Sequence, residues 1–206
     1  MKKNHTLFHI VLTTIAAIFV GATMGNAQVK TGEKAPNFTL KDTAGQSHSL
    51  SDFAGKTVIL EWTNAECPFV KKFYDNGDMQ KMQAQMTNDG AVWLQIVSSA
   101  EGKQGFVTPE QGQKLRADKD MKSTAMLLDP TGKVGKMYAA KTTPHMYVIN
   151  DEGVLVYQGA IDDKASANAA DVAGANNYVL AAYEAVTEGK EVADATTKPY
   201  GCGVKY

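Results

Sequence analysis

Arginine is all but missing from this sequence. Of 21 basic residues only Arg116 carries a guanidinium. Bidentate arginine clamps on phosphate or carboxylate are therefore largely excluded. Cysteine is almost as scarce, with only Cys67 and Cys202. Two are too few for a disulfide-built scaffold or a four-cysteine zinc site, but enough for one disulfide or one redox pair. An excess of either charge is lacking too, since 21 basic and 22 acidic residues leave a net −1. A dedicated nucleic-acid binder needs a basic footprint, so that class is excluded. Internal repeats and low-complexity linkers are absent. What remains is 206 residues, 44% hydrophobic and 21% charged. That is an ordinary globular composition of one domain with trimmings, not a disordered, collagenous or coiled-coil chain.

The first 27 residues read as an export signal. Lys2 and Lys3 precede an apolar run from Leu7 to Val20, and Gly25 and Ala27 fit the small positions before a cleavage point. The competing reading is an uncleaved anchor, but the run falls short of the ~20 residues that span a bilayer. No cysteine follows the run to carry a lipid. Cleavage after Ala27 leaves a mature chain from Gln28, and loss of Lys2 and Lys3 takes the net charge from −1 to −3. The mature protein is then expected in an oxidising, exported compartment, periplasmic or secreted, with no stable membrane insertion. Only His48 and His145 remain, so a zinc site built on several histidines is out of reach.

Along the rest of the chain, strand and helix signals alternate. Gly32–Leu40 reads as an extended entry, Asp42–Gly45 as a turn and Ser49–Phe53 as a helical turn. Thr57–Thr63 and Ala91–Ser98 are β-branched, apolar runs expected of buried strands. Pro68 opens a helix, interrupted near Asn76-Gly77, that runs to Asn88. Pro109–Asp118 is a polar helix, Thr124–Leu128 a strand and Val134–Ala140 a short helix. His145–Ile149 and Val154–Tyr157 flank the turn signal Asn150–Gly153 and form a hairpin. A single Ala-rich helix is expected over Ala167–Thr187, capped by Gly189. The pattern predicts a mixed sheet with helices on both faces. The division is a signal over 1–27, one domain over 28–190, and a polar tail over 191–206 that carries Cys202.

Cys67 lies between a predicted strand and a predicted helix, with Pro68 suited to the first helical position. A thiol at a helix N-terminus faces free N–H groups and the positive dipole end, which favours the nucleophilic thiolate. Lys71, one turn on, helps; Glu66 opposes. The plain alternative is a buried cysteine acting as a small hydrophobe. In Thr142-Thr143-Pro144, which precedes a strand, the X-Pro bond is either cis or a trans edge feature.

Three segments carry a family resemblance. Gly32–Asp42 with Gly45 and Ser49–Lys56 resembles the opening of the redoxins, the group of alkyl hydroperoxide reductase/thiol-specific antioxidant proteins and exported thioredoxin-like reductases. Trp62–Pro68 resembles their active-site junction. Thr143-Pro144 with His145–Gly153 resembles the thioredoxin cis-proline loop and its hairpin. The resemblance spans Val29–Asp163. It implies an α/β thioredoxin fold, a central mixed β-sheet flanked by helices on both faces. It also implies a cis Pro144 beside Cys67, redox chemistry at Cys67, and a substrate chain held in strand-like pairing at Thr143 and Pro144.

Two departures separate the chain from its relatives. The stretch Cys67–Val70 lacks the second cysteine of a Cys-X-X-Cys switch. The threonine and arginine that peroxiredoxins set around their cysteine are not matched, because Asn64 stands three before Cys67 and no arginine flanks Pro144.

Cys202, 135 residues beyond Cys67 and flanked by Gly201 and Gly203, is the remaining thiol. It is read as a resolving cysteine, as an inert staple worth ~4–5 kcal/mol in the chain-entropy model, or as a link to a partner molecule. Trp62, Asn64, Glu66, Pro68, Thr143, Pro144 and His145 are the candidate substrate-binding residues. Phe73 is read as core, and Met79, Met82 and Met86 as a helix face packed on the sheet.

The expected function is an exported thiol–disulfide oxidoreductase, with a thiol peroxidase of the same fold and a non-enzymatic binding module as alternatives. Its expected partners are protein or small-molecule thiols and disulfides, plus an external thiol electron donor. No metal or organic cofactor and no nucleic acid is expected.

Overall fold

The computed structural model describes residues 29–206; the export signal read over 1–27 lies outside the described residues. In chain order the strands and helices are β1 (Thr39–Asp42), β2 (Ser47–Ser49), β3 (Val58–Trp62), α1 (Pro68–Tyr74), α2 (Asp78–Asn88), β4 (Val92–Val97), α3 (Pro109–Asp118), β5 (Ala125–Leu128), α4 (Lys133–Met137), β6 (Thr142–Thr143), β7 (His145–Ile149), β8 (Leu155–Gly159), α5 (Tyr178–Thr187) and β9 (Cys202–Gly203). Short 3-10 turns occupy Leu50–Phe53 and Ala169–Gly174.

Seven strands form one mixed sheet in the order β2-β1-β5-β4-β3-β7-β8. β4 lies parallel to both β3 and β5, and the other pairs are antiparallel. Alternation along β3 explains the layering, because successive side chains point to opposite faces. Val58, Leu60 and Trp62 enter one core with Leu94, Ile96, Tyr138 and Tyr147. Ile59 enters the other with Val70, Phe73, Met79, Met86, Trp93 and Tyr157, under α1, α2 and α5. Phe73 and the three helix-face methionines are thus buried as expected.

The break between α1 and α2 falls where the sequence signals it. Gly77 caps α2 with φ +85, a left-handed conformation that a side chain disfavours.

The expected long helix over Ala167–Thr187 is not continuous. A 3-10 turn and a separate α5 replace it, and asparagine chemistry is the reason. The Asn168 and Asn177 side chains accept from the Ala170 and Leu180 amides at 3.1 and 2.9 Å. The Asn176 side chain and amide bind Asp163. Such local bonds compete with a continuous helix and favour a new N-terminus.

The polar tail is also not an appendage. It runs beside β8, where the Gln158 amide donates to the Ala195 carbonyl and the Thr197 amide to the Gln158 carbonyl. It then forms β9, paired antiparallel with β6 in a separate two-stranded sheet. Val204 donates to the Lys141 carbonyl, and the Lys205 carbonyl accepts from Ala100. The Tyr206 hydroxyl donates to the Ala140 carbonyl. Among the described residues no helix is long and apolar enough to cross a membrane.

Candidate active site

β3 ends at Trp62, and a tight loop carries the chain into α1. Asn64 builds that loop. Its carbonyl accepts from the Cys67 amide at 3.0 Å and its side-chain oxygen from the Glu66 amide at 2.9 Å. Cys67 is the N-cap of α1, with extended backbone, and Pro68 follows as the first helical residue. The sulfur is completely buried.

Across from it lies the loop into β7. The Thr143–Pro144 peptide is cis, and the Cys67 thiol donates to the Thr143 carbonyl at 3.0 Å. The same Thr143 pairs with Cys202 across β6 and β9. Gly201 makes this approach possible. A Cβ there would meet the Thr143 carbonyl oxygen at 2.1 Å, and its φ of +135 suits glycine. Both cysteines are free thiols, Cys67 buried and Cys202 half-buried.

The electrostatics of the two thiols are linked. Burial pushes the Cys67 thiol up, but hydrogen bonds from the Cys202 thiol and amide and from the Thr143 side chain outweigh it. The result lies below the ordinary thiol value. Cys202 moves the other way, to about 11, by burial, by its hydrogen bond to Cys67 and by the charge on Cys67; Lys205 partly offsets this. Lys71 and Glu66, read from the sequence as helping and opposing, are both exposed. The groups that lower the Cys67 thiol come from the tail, from the Thr143 loop and, as expected of a helix start, from the Val70 amide of α1.

The other candidates fall into two sets. Glu66 and Pro68 are exposed beside the loop, and Thr143 and Pro144 are buried against it. Trp62 lines no groove; it is fully buried, packed on Tyr138 and Tyr147, with its indole N–H donating to Ser98 at 3.0 Å. The alternation along β3 that turns Leu60 into the core turns Trp62 the same way.

His145 is buried as well. Its Nδ1 faces the Lys141 amide at 3.3 Å and the Tyr147 hydroxyl at 3.1 Å. Burial, with the charge of Lys141, holds the imidazole down at about 3, so it is neutral at physiological pH. Arg116 is half-buried on α3, its guanidinium donating to the Ser123 hydroxyl and carbonyl at 2.9 and 2.8 Å, apart from the groups around Cys67.

Two charged residues near the site escaped the sequence reading. Glu61, next to the end of β3, is fully buried. It accepts from Tyr74 at 2.8 Å and from the Trp93 indole at 2.8 Å, and burial raises its carboxyl. A lone carboxylate inside an apolar strand run was the signal. Lys72, the second of two adjacent lysines on α1, is also buried. Only its spacing beside Phe69 and Phe73 hinted at this. Among the described residues, no group of three or more His, Cys, Asp or Glu side chains converges to hold a metal ion.

Comparison with known proteins gives the same frame. The AhpC/TSA family description matches residues 31–158. Thiol-disulfide oxidoreductase ResA of Bacillus subtilis (strain 168) is 29% identical over 167 residues, covering 76% of this chain and 86% of ResA. The crystal structure of hypothetical protein SMc02350 from Sinorhizobium meliloti 1021 superposes with a TM-score of 0.73 at 24% identity, over 87% of this chain and 96% of that one. The thioredoxin domain of a thiol-disulfide oxidoreductase from Bacteroides vulgatus aligns with a TM-score of 0.50 at 24% identity, covering 64% of this chain and 89% of that domain. These likenesses show the thioredoxin fold.

Proposed function

The chain belongs to the AhpC/TSA family, and from that premise we propose that it is an exported thiol–disulfide oxidoreductase with Cys67 as nucleophile and Cys202 as resolving cysteine. The observation that carries this reading is the pairing of Cys202 with Thr143, the residue whose carbonyl receives the Cys67 thiol. The missing partner of a Cys-X-X-Cys pair is replaced from the far end of the chain; position 70 is a buried valine.

In the first step the Cys67 thiolate attacks one sulfur of a substrate disulfide and the other sulfur leaves as thiolate. Its low thiol value, with Cys202 as hydrogen-bond donor, supports this role. In the second step Cys202 attacks the Cys67 sulfur, releases the remaining substrate thiolate, and leaves a Cys67–Cys202 disulfide. Once Cys67 is in a mixed disulfide it carries no charge. Burial still holds Cys202 up, but the hydrogen bond to Cys67 and the charge on Cys67 that add to it are then gone, while Lys205 still lowers it. Cys202 thus becomes a better nucleophile when its turn comes. An external thiol donor returns two electrons and restores both thiols. Disulfide exchange is favoured over peroxide reduction because Arg116 is held at Ser123 and supplies no guanidinium beside Cys67. Export rests on the signal pattern of residues 1–27.

Non-reducing peptide mapping before and after addition of oxidised glutathione tests this reading. The expected product is a Cys67–Cys202 linkage that thiol reverses, with activity lost in Cys67→Ser. A linkage that resists strong reductant in the folded protein, with Cys67→Ser and Cys202→Ser both fully active, would identify a binding module with a structural disulfide. Fast peroxide turnover dependent on Cys67 would identify a thiol peroxidase.

A further inference from the structure

Helix α1 carries a buried cation that the chemistry above does not use. The Lys72 side chain has no exposure and that of Asp162 2%, and the ammonium lies 3.3 Å from the carboxylate. Taking two charges out of water is costly unless hydrogen bonds complete their surroundings. Here the tail and Lys164 supply them at the ammonium and at Asp162 Oδ1, while Asp162 Oδ2 faces the ammonium without a hydrogen bond. The Tyr200 hydroxyl donates to Asp162 Oδ1 and receives Lys72 Nζ at 3.3 Å. Lys72 also donates to the Lys164 carbonyl at 2.8 Å, and the Lys164 amide donates to Asp162 at 2.9 Å. The Tyr200 ring stands edge-on to Phe69 at 5.8 Å, with the Lys72 ammonium 5.4 Å from its centre.

The placement of this seat matters. Lys72 follows Cys67 by five residues on α1, and Tyr200 precedes Cys202 by two. The seat therefore ties the helix that begins at one cysteine to the strand that carries the other. That strand, Cys202–Gly203, is two residues long and faces two residues of β6. By themselves its few backbone bonds are a weak hold on the residue that carries the second thiol. A phenol bonded to a carboxylate is a charge-assisted contact, stronger than a neutral one. On the other side of β9 the chain is held by Tyr206, which is 38% exposed.

We propose that Tyr200 is a positioning residue for the resolving step: its phenol, seated on the buried Lys72–Asp162 pair, holds Cys202 against the Cys67 sulfur. This rests on the oxidoreductase reading above and deepens it. The step it serves converts the Cys67–SR mixed disulfide and the Cys202 thiolate into the Cys67–Cys202 disulfide and RS⁻. Across both steps two protein thiols lose two electrons and one organic disulfide gains them, releasing two RSH. Because resolution is intramolecular, its rate and equilibrium scale with the effective concentration of Cys202 at Cys67. The seat raises that concentration without touching the reacting atoms.

The test uses the full chain with oxidised and reduced glutathione as the redox pair. Tyr200→Phe keeps the ring and removes the hydroxyl; Tyr200→Ala removes both. Quenched-flow mass spectrometry follows the Cys67–glutathione adduct and its conversion to the internal disulfide. In Tyr200→Phe, resolution and the effective concentration of Cys202 are expected to fall by about tenfold or more, with adduct formation no slower than in the parent. Tyr200→Ala falls further, and the adduct accumulates. Both variants are expected to keep the parent circular dichroism spectrum with a lowered melting temperature, because the buried pair loses a partner; adduct formation that is not slowed separates positioning from a general loss of fold. Resolution and effective concentration unchanged in both variants would overturn the inference while leaving the oxidoreductase reading intact. No adduct at Cys67 even in Cys202→Ala would remove that reading, and the inference with it.

Discussion

Thr143 stands opposite Cys202 in the two-stranded β6–β9 pair, and its carbonyl oxygen lies 3.0 Å from the sulfur of Cys67. One residue thereby registers both thiols. It sits next to Pro144, where the resemblance to thioredoxins places an incoming substrate chain. The tail of this protein occupies that backbone edge itself.

The first consequence concerns the ionisation of Cys67. Cys202 is its principal hydrogen-bond donor, while burial works against the charge. Cys202→Ala removes the donor and keeps much of the burial. The midpoint of the pH–rate profile for alkylation of Cys67 should move upward, and alkylation at pH 7 should slow several-fold. A profile unmoved in this variant would show that the tail does not tune the thiol.

Access can be separated from ionisation by working at high pH. Deleting residues 200–206 removes the strand over a sulfur that is completely buried. At about pH 10, where thiolate formation no longer limits, alkylation should accelerate by about tenfold or more over the full chain. Equal rates would mean that the tail leaves freely.

Gly201 allows the backbone of the tail to meet the Thr143 loop. In Gly201→Ala the new Cβ would collide with the Thr143 carbonyl at 2.1 Å, in a backbone conformation with φ +135. The misfit, on the order of 2 kcal/mol, falls on the β6–β9 pair. Formation of the Cys67–Cys202 disulfide by glutathione exchange should slow by about tenfold, with global stability little changed. Disulfide formation at the parent rate would count against the pairing.

His145 predicts an acid limb of stability. Its folded-state value of about 3 lies below the ordinary 6.5, so the unfolded chain binds a proton that the folded one refuses between these values. Stability is then full above about pH 6.5 and falls as pH drops towards 3. The loss is on the order of 4 kcal/mol at the low end. Urea denaturation from pH 7 to pH 4 measures this, and His145→Gln should flatten the dependence.

Much of the fold was legible because it depends on short-range pattern. Apolar β-branched runs located β3 and β4, Pro68 and Pro109 opened their helices, and Asn150–Gly153 marked the hairpin of β7 and β8. Cys67 at a helix start was readable for the same reason. Where local signals conflicted, reading failed. The Ala-rich stretch suggested one helix, but Asn168, Asn176 and Asn177 bind backbone and Asp163 and divide it.

The sequence by itself determined that only two thiols exist and that no second cysteine stands beside Cys67. It also determined that one arginine cannot serve two places. It did not determine where Cys202 goes. That depends on contacts between residues far apart in the chain: β9 on β6, Tyr200 on Lys72 and Asp162, Tyr206 on the Ala140 carbonyl. Burial is likewise a property of the packed whole. It makes Lys72 an interior partner of Asp162, Glu61 an interior carboxyl, His145 a neutral core ring and Trp62 a core side chain. Each of these side chains has ordinary chemistry in water. The folded surroundings, by removing water and fixing partners, decided which of them bear on the pair of thiols.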